Sequence, residues 1–202
     1  MIDQLAAVSG RDVSHEAIGK LARYEQLVRA EAAHQNLVSK STLDDFWSRH
    51  VLDSAQLLRF ARPGSSWADI GSGAGLPGIV IACLTGDPVL LIEPRRLRAE
   101  FLQRVVDDLQ LNAAIHVGKA ETVRGSFDVI TARAVGSLGR LLEISHHLST
   151  GKTLFLFPKG KSAESELAAA RQTWQASFHV ERSVVDADSD IILARNVRRK
   201  TR

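Results

Sequence analysis

Apolar residues along the chain follow two different spacings, and the change between them divides the sequence. In residues 14–60 they return every three or four positions, which is the period of an amphipathic helix. One series consists of Ile18, Leu21, Tyr24 and Val28, and a second of Trp47, Val51, Ala55 and Leu58. Residues 62–66, Arg-Pro-Gly-Ser-Ser, interrupt the pattern. We therefore expect helices up to this point and another architecture beyond it.

From Trp67 onward, short apolar runs alternate with helical patterns. The runs predict strands at residues 67–70, 89–93, 114–117, 127–132, 153–157, 178–185 and 190–195, and the patterns predict helices at 77–84, 94–109, 137–147 and 163–175. Such alternation is typical of an α/β protein with a buried parallel sheet and helices on both faces. The last two strands are close enough in sequence to form a hairpin, which makes one strand antiparallel.

The turn after the first predicted strand reads Asp69-Ile-Gly-Ser-Gly-Ala-Gly-Leu-Pro-Gly78. Glycine lets a backbone turn sharply and approach a ligand closely, because it has no Cβ atom. A glycine-rich turn between a strand and a helix lies at the carboxyl edge of a parallel sheet, where open α/β folds bind nucleotides. The sequence therefore predicts a nucleotide-type cofactor at this turn. The residues assigned to it are Asp69, Gly71, Gly73 and Gly75, with Glu93 at the end of the next strand.

Two cofactors satisfy this pattern. Glycines from Gly73 to Gly78 have the G-x-G-x-x-G spacing of a dinucleotide fold, and Glu93 follows about 20 residues later. Pro77, however, removes one N–H donor that a pyrophosphate would use. A carboxylate at Asp69 would repel phosphates and suit the cationic methionine end of S-adenosylmethionine (SAM), while Glu93 would accept hydrogen bonds from its ribose diol. The residues favour SAM, and NAD is the alternative.

Two charged residues follow later strands at the same edge of the sheet. Glu121 would reach an adenine amino group, or serve only as a carboxylate at a helix start. Arg133 would contact the SAM carboxylate or a substrate phosphate, with a structural ion pair as the alternative. The sequence supports neither a P-loop nor a metal site. Gly151-Lys-Thr153 lacks the first glycine that a P-loop requires. His146-His147 has no further ligands at the spacing of a metal site. We therefore expect no metal.

Basic charge is concentrated at the end of the chain. The formal net charge is +3, and residues 195–202 contain five basic groups and no acidic one. Such a tail suits a polyanion such as RNA, held through its phosphates, or it is a solvated, frayed terminus. We divide the chain into a helical extension (residues 1–62), a cofactor-binding domain (residues 63–195) and a basic tail (residues 196–202).

The rest of the composition narrows the class of protein. The one cysteine, Cys83, excludes an internal disulfide, and its apolar neighbours suit burial rather than catalysis. The sequence shows neither the basic start of a signal peptide nor an apolar run of about 20 residues. We expect a monomeric cytoplasmic protein without a membrane segment.

Several further motifs occur together with the glycine segment. They are Gln35-Asn36-Leu37-Val38, Arg49-His50-Val-Leu-Asp53-Ser54, Arg98-Ala-Glu-Phe101-Leu102, Ala120-Glu121, Thr131-Ala-Arg133-Ala134 and Pro158-Lys159-Gly160. On this combination, over residues 20–195, the chain resembles the GidB/RsmG family. These are the SAM-dependent guanine-N7 methyltransferases of bacterial small-subunit (16S) ribosomal RNA.

The resemblance implies the Rossmann-like fold of a class I SAM-dependent methyltransferase, with a mostly parallel sheet, one antiparallel strand and an N-terminal helical extension. It carries the family's SAM contacts onto Gly71, Leu76, Ala120-Glu121 and Arg133, and Glu93 matches the acidic ribose position. The implied partner is 16S rRNA in the small ribosomal subunit.

Methylation at guanine N7 agrees with the lack of an evident catalytic group in the sequence. N7 carries a lone pair and no proton, so the reaction needs no general base. Orientation of the reactants contributes up to roughly 7–11 kcal/mol in ideal cases. Pyrimidine C5 methylation would need a cysteine nucleophile, and Cys83 is badly placed for that role. We assign no certain catalytic residue, and Arg133 is the one candidate.

Overall fold

The apolar runs of the sequence form seven strands in the part of the chain that the structure describes. The structure is a computed structural model that describes residues 1–201, apart from the side chain of Lys40. The strands are β1 (Trp67–Ile70), β2 (Val89–Glu93), β3 (Ala113–Val117), β4 (Val129–Thr131), β5 (Leu154–Lys159), β6 (Trp174–Arg182) and β7 (Asp190–Arg199). Every residue of β1 is buried, as a strand covered by helices on both faces requires.

The strands form one sheet in the order β3-β2-β1-β4-β5-β7-β6. β1 to β5 pair in parallel, whereas β7 runs antiparallel to both β5 and β6. The prediction of a mostly parallel sheet with one antiparallel strand is therefore confirmed. The strand order reverses between β1 and β4, and the carboxyl ends of strands at such a switch point are where open α/β folds bind ligands.

Helices precede the sheet and alternate with its strands. They are α1 (Ile2–Ser9), α2 (His15–Glu31), α3 (Lys40–Leu43), α4 (Asp53–Ala55), α5 (Gly78–Thr85), α6 (Arg96–Leu109), α7 (Leu138–Ser145) and α8 (Ala163–Thr173). A π-helical segment, Trp47–Leu52, leads into α4, and a 3₁₀ turn, Gln56–Arg59, follows it. No helix within residues 1–201 is long and apolar enough to cross a membrane.

Each face of the sheet has its own apolar core. On one face, Trp67, Leu91 and Leu156 pack with α5 and α6 and with the N-terminal helices, which contribute Leu21 and Tyr24. On the other face, a second core packs against α7 and α8. Because the first core is continuous, the N-terminal helices are packed directly against the helices that flank the glycine turn.

Among the boundaries that differ from the sequence prediction, those of α6, α8 and β7 have a local cause in the structure. α6 begins at Arg96 rather than at residue 94, because the Glu93 carboxylate accepts the Arg95 N–H and Arg95 is extended. α8 ends at Thr173, since Trp174 pairs with Arg199 across the β6–β7 hairpin. β7 accordingly continues to residue 199 rather than stopping at 195. Most of the predicted basic tail is therefore strand, and Arg202 lies outside the described residues.

Candidate cofactor and acceptor site

The turn between β1 and α5 has a backbone that only glycine adopts without strain. Gly71, Gly73 and Gly75 have φ values of 67°, 59° and 104°. A Cβ atom on Gly71 would lie 2.7 Å from Val135 Cγ2, and one on Gly75 would lie 2.4 Å from Ile79 Cγ1. The glycines therefore allow the loop to turn back over the sheet edge and to pack against α5 and the loop after β4.

Asp69 lies beneath this loop and is fully buried. One carboxylate oxygen accepts the Gly78 N–H at 3.2 Å, at the start of α5. The other has no hydrogen-bond partner among residues 1–201. Burial raises the pKa of Asp69 to about 7. The structure therefore gives Asp69 a contact that supports the loop, and its predicted contact with the cofactor stays a prediction.

Glu93, at the end of β2, joins the glycine loop to the neighbouring strand. Its carboxylate accepts the Gly73 N–H at 2.8 Å and the Arg95 N–H at 2.9 Å. Each carboxylate oxygen can accept more than one hydrogen bond, so these contacts leave acceptor capacity for a diol. The predicted ribose position is thus held in place by backbone on both sides.

A cavity of about 250 Å³ opens beside these residues. Gly71, Pro94, Ala120, Glu121 and Val135 are among the residues that line it, so the ends of β1, β2 and β3 meet there. Ala120 is buried, while Glu121 lies at the rim and forms an ion pair with Arg140 at 3.0 Å. The structure therefore brings together Gly71, Ala120 and Glu121, three of the residues onto which the resemblance carried SAM contacts, whereas Glu93 and Arg133 are not part of the lining.

Gly73 and Leu76 do not line this cavity. The Leu76 side chain belongs to the apolar core shared with the N-terminal helices, which leaves its backbone for any contact with a cofactor. Gly73 lies next to the guanidinium of Arg98 on α6, which donates a hydrogen bond to the Asn36 carbonyl at 2.9 Å. Tyr24 on α2 adds a buried contact to the same loop, since its hydroxyl donates to the Ala74 carbonyl at 2.9 Å.

Arg133, just after β4, is bound to the π-helical segment and α4. One guanidinium nitrogen, Nη1, donates to the Asp53 carboxylate and to the Arg49 carbonyl, both at 3.1 Å. The other, Nη2, lies 2.9 Å from His50 Nδ1. Ala134, with a φ of 58°, makes the sharp turn that follows. In this structure Arg133 thus forms the ion pair that the sequence left as the alternative to a ligand contact.

The contact with Arg133 determines the state of His50. An arginine only donates hydrogen bonds, so Nδ1 accepts and the ring proton lies on Nε2. Nε2 is buried and has no partner in the described part of the chain. Burial, followed by the positive charge of Arg133, lowers the pKa of His50 to about 4. The imidazole is therefore neutral at physiological pH.

The β6–β7 turn closes this region from the other side. Gln56 donates to the Asp53 carboxylate at 2.9 Å and accepts the Val184 N–H at 3.0 Å. Arg49 forms an ion pair with Asp186 at 3.1 Å. A cleft of about 590 Å³ lies between this turn and residues 37–53, and Arg133 and His50 form part of its lining. We call it the acceptor cleft.

A second cavity of about 420 Å³ adjoins the acceptor cleft and shares Asp53, Arg133 and Ala134 with it. Lys159 lines its wall and bonds Glu166 at 2.8 Å and the Gly136 carbonyl at 2.5 Å. Sequence reasoning named Lys159 only as part of a motif and missed Gln56 and Glu166 entirely. Gln56 was detectable in principle as a polar residue three positions after Asp53, on the buried side of a predicted helix.

Comparison with known proteins identifies the family. A family model named GidB, described as rRNA small subunit methyltransferase G, matches residues 17–197. The ribosomal RNA small subunit methyltransferase G of Zymomonas mobilis subsp. mobilis is 41% identical over 198 residues, which cover 93% of this chain and 90% of that protein. The chain belongs to this family. The prediction made from its motifs is therefore confirmed, as is its assignment to the methyltransferases.

Solved structures of lower sequence identity share the fold of this family member. The ribosomal protein L11 methylase of Lactobacillus delbrueckii subsp. bulgaricus has a TM-score of 0.55 at 20% identity, covering 76% of this chain and 79% of that one. An MtNAS variant in complex with S-adenosylmethionine has a TM-score of 0.58 at 17% identity, covering 87% and 74%. The predicted class I fold is confirmed, and the family's cofactor is SAM rather than the dinucleotide alternative.

We predict that Glu93→Gln weakens SAM binding by roughly 10- to 100-fold, because charge-assisted hydrogen bonds are worth about 1.5–3 kcal/mol each. Isothermal titration calorimetry measures this directly. Glu100→Gln is the control for the same change of side chain, since Glu100 lies on the surface of α6, where it pairs with Arg96 at 2.8 Å, and should keep the wild-type affinity. Equal affinities for the two variants would contradict the assignment of Glu93.

The buried carboxyl of Asp69 predicts a pH-dependent stability. Its pKa of about 7 in the folded protein is above the value near 3.8 of the unfolded chain, so between these values the folded state keeps a proton that the unfolded state releases. The free energy of unfolding should therefore fall as pH rises through this window, by on the order of 4 kcal/mol. The side chain of the Asp69→Asn variant cannot ionise, so its free energy of unfolding does not fall in this way as pH rises. Urea denaturation should show the variant gaining stability relative to wild type between about pH 4 and pH 7, and a pH-independent difference would contradict the prediction.

Proposed function

We propose that this protein transfers a methyl group from SAM to N7 of a guanine in the 16S rRNA of the small ribosomal subunit. Family membership and the name of the Zymomonas relative support the class of substrate. The N7 position is supported by the part of the acceptor cleft around Arg133, where the ionisable side chains are engaged with one another. Asp53 is paired with Arg133, and His50 Nδ1 accepts from the same guanidinium. Such a cleft suits an acceptor atom that has no proton to lose. We accordingly propose that the reaction takes place in the cytoplasm, where a ribosomal substrate is found.

The residues at the cofactor edge fit SAM. Gly71 lines the cavity at the end of β1, and Glu93 presents a carboxylate that is braced by backbone N–H groups. When bound, SAM supplies a methyl group on a cationic sulfur, which is already activated for transfer. Gly71, Ala120 and Glu121 would hold the adenosine part in the 250 Å³ cavity.

The charge balance of the acceptor cleft suits a cationic cofactor. Arg133 alone would repel the sulfonium, but its ion pair with Asp53 at 3.1 Å compensates its charge. The low pKa of His50 keeps the neighbouring imidazole uncharged. The chain therefore provides hydrogen-bond donors next to the cofactor without adding net positive charge.

Arg133 has donors left for the guanine base. A guanidinium carries five N–H groups, and the contacts with Arg49, Asp53 and His50 use three of them. Arginine is the side chain that most often binds the O6 and N7 atoms of guanine. If Arg133 donates to O6 alone, N7 keeps its lone pair for the methyl group. Arg133 would then orient the base, and no residue of the cleft would need to move a proton.

Methyl-labelled SAM and small subunits that lack the modification test the proposed reaction directly. After incubation, strand cleavage at N7-methylguanosine maps the labelled position in the RNA. We expect label in a single guanine of 16S rRNA. Label in the exocyclic amine or ribose of a nucleotide would contradict the N7 assignment, and label in ribosomal protein would contradict an RNA substrate.

The role of Arg133 is tested by Arg133→Lys, which keeps the positive charge for Asp53 but loses the planar fork. We expect methyl transfer to fall roughly 10- to 100-fold, the equivalent of one lost base contact of about 1–3 kcal/mol. The dissociation constant of SAM, measured by calorimetry, should change much less. A loss of SAM affinity as large as the loss of transfer would instead place Arg133 on the cofactor.

A further inference from the structure

Four exposed basic residues cluster far from the cofactor edge. Arg62, Lys152 and Arg195 line a cavity of about 370 Å³, and Arg198 lies three positions further along β7. We call these four residues the amino-edge surface, because they lie where the parallel strands β1, β4 and β5 begin. Register explains how β7 reaches this edge: it runs antiparallel to β5, and Ala194 is opposite Phe155 near the start of β5.

A β-bulge gives the two arginines of β7 a common direction. Residues three apart in a regular strand point to opposite faces. Here Ser177 pairs with Arg195 while Gln175 pairs with Arg198, so β7 has one extra residue over this interval. Asn196 accommodates it with a φ of 54°. Because residues paired across antiparallel strands share a face, Arg195 and Arg198 both point to the side of the sheet on which the N-terminal helices pack.

The four side chains carry more positive charge than the one carboxylate of the cavity, that of Asp128, offsets. None of them forms an ion pair within residues 1–201. The nearest acidic residue in the cavity, Asp128, accepts hydrogen bonds from the Ser66 backbone and hydroxyl groups. In contrast, Arg49, Arg133 and Lys159 near the acceptor cleft are each paired with a carboxylate. The amino-edge surface thus differs in its charge balance from the surroundings of Arg133.

The position of this surface determines the size of the partner that can use it. The acceptor cleft and the amino-edge surface lie at opposite ends of the strands, and β5 alone has six residues, or about 20 Å. A polyanion bound at both must extend over at least that length. A single nucleotide or a short loop at the cofactor edge does not reach so far, whereas a folded RNA does.

We propose that the amino-edge surface binds the phosphate backbone of a second rRNA segment, distinct from the one that carries the methylated guanine. This inference rests on the proposed function and identifies how the substrate is held. Arginine and lysine on an open sheet face bind phosphates without reading sequence, so the surface contributes affinity and orientation while the acceptor cleft selects the base.

The test measures binding of the full-length protein to unmodified small subunits over a series of salt concentrations. We compare wild type with the double variant Arg195→Gln/Arg198→Gln. Substitution is preferable to truncation, since residues 198 and 199 pair with Gln175 and Trp174 in the sheet. Each lost phosphate contact lowers the slope of log affinity against log salt by about 0.7–0.9. We expect the slope to fall by about 1.5, with SAM affinity unchanged.

Arg23→Gln/Arg29→Gln provides a control with the same loss of charge on α2, where both arginines pair with carboxylates. It should keep the wild-type slope. A wild-type slope in the Arg195/Arg198 variant, or an equal decrease in the control, would overturn the amino-edge surface. Calorimetry with SAM shows that each variant is folded. Failure of the wild-type protein to methylate the subunits would instead refute the proposed function, so the two failures are distinguishable.

Discussion

The contact between Arg133 and the N-terminal segment is the interaction on which the acceptor cleft depends. The guanidinium joins the end of β4 to Arg49, His50 and Asp53, and Gln56 continues the network from Asp53 to the β6–β7 turn. Three separate parts of the chain are therefore linked by one network of hydrogen bonds. Removing the guanidinium would leave the half-buried Asp53 carboxylate without its counter-ion, at a cost of the order of 1–3 kcal/mol.

A second set of contacts shapes the cofactor edge, where carboxyl groups accept hydrogen bonds from backbone N–H groups. Glu93 accepts N–H groups from both sides of the edge, and Asp69 accepts the N–H at the start of α5 while its other oxygen stays unpartnered. A buried, incompletely bonded carboxyl reduces stability, as its raised pKa shows.

The acceptor cleft and the amino-edge surface differ in whether their basic side chains are paired with carboxylates. At the acceptor cleft, Arg133 and Lys159 are neutralised by Asp53 and Glu166, which suits an adjacent cationic sulfonium. At the amino edge, the arginines of β7 have no carboxylate partner among the described residues, and a bulge at Asn196 gives them a common direction. If the amino-edge surface binds rRNA as proposed, its phosphate contacts lie at the opposite end of the strands from the cofactor edge.

Local properties of the chain were readable from the sequence alone. Alternating apolar runs predicted the α/β sheet and its reversed strand, and the glycines of residues 71–75 predicted the cofactor turn, because positive φ values and close packing there admit only glycine. Contacts between residues far apart in the sequence could not be predicted in this way. The Arg133–Asp53 pair spans 80 positions, and no periodicity relates its two members. Likewise the sequence predicted a basic tail at residues 196–202. Only the pairing of β7 with β6 showed that most of this segment is a strand, with Arg195 and Arg198 on one face. Residue type and spacing determined which elements form, whereas the packing of those elements decided which charged groups meet and which remain free.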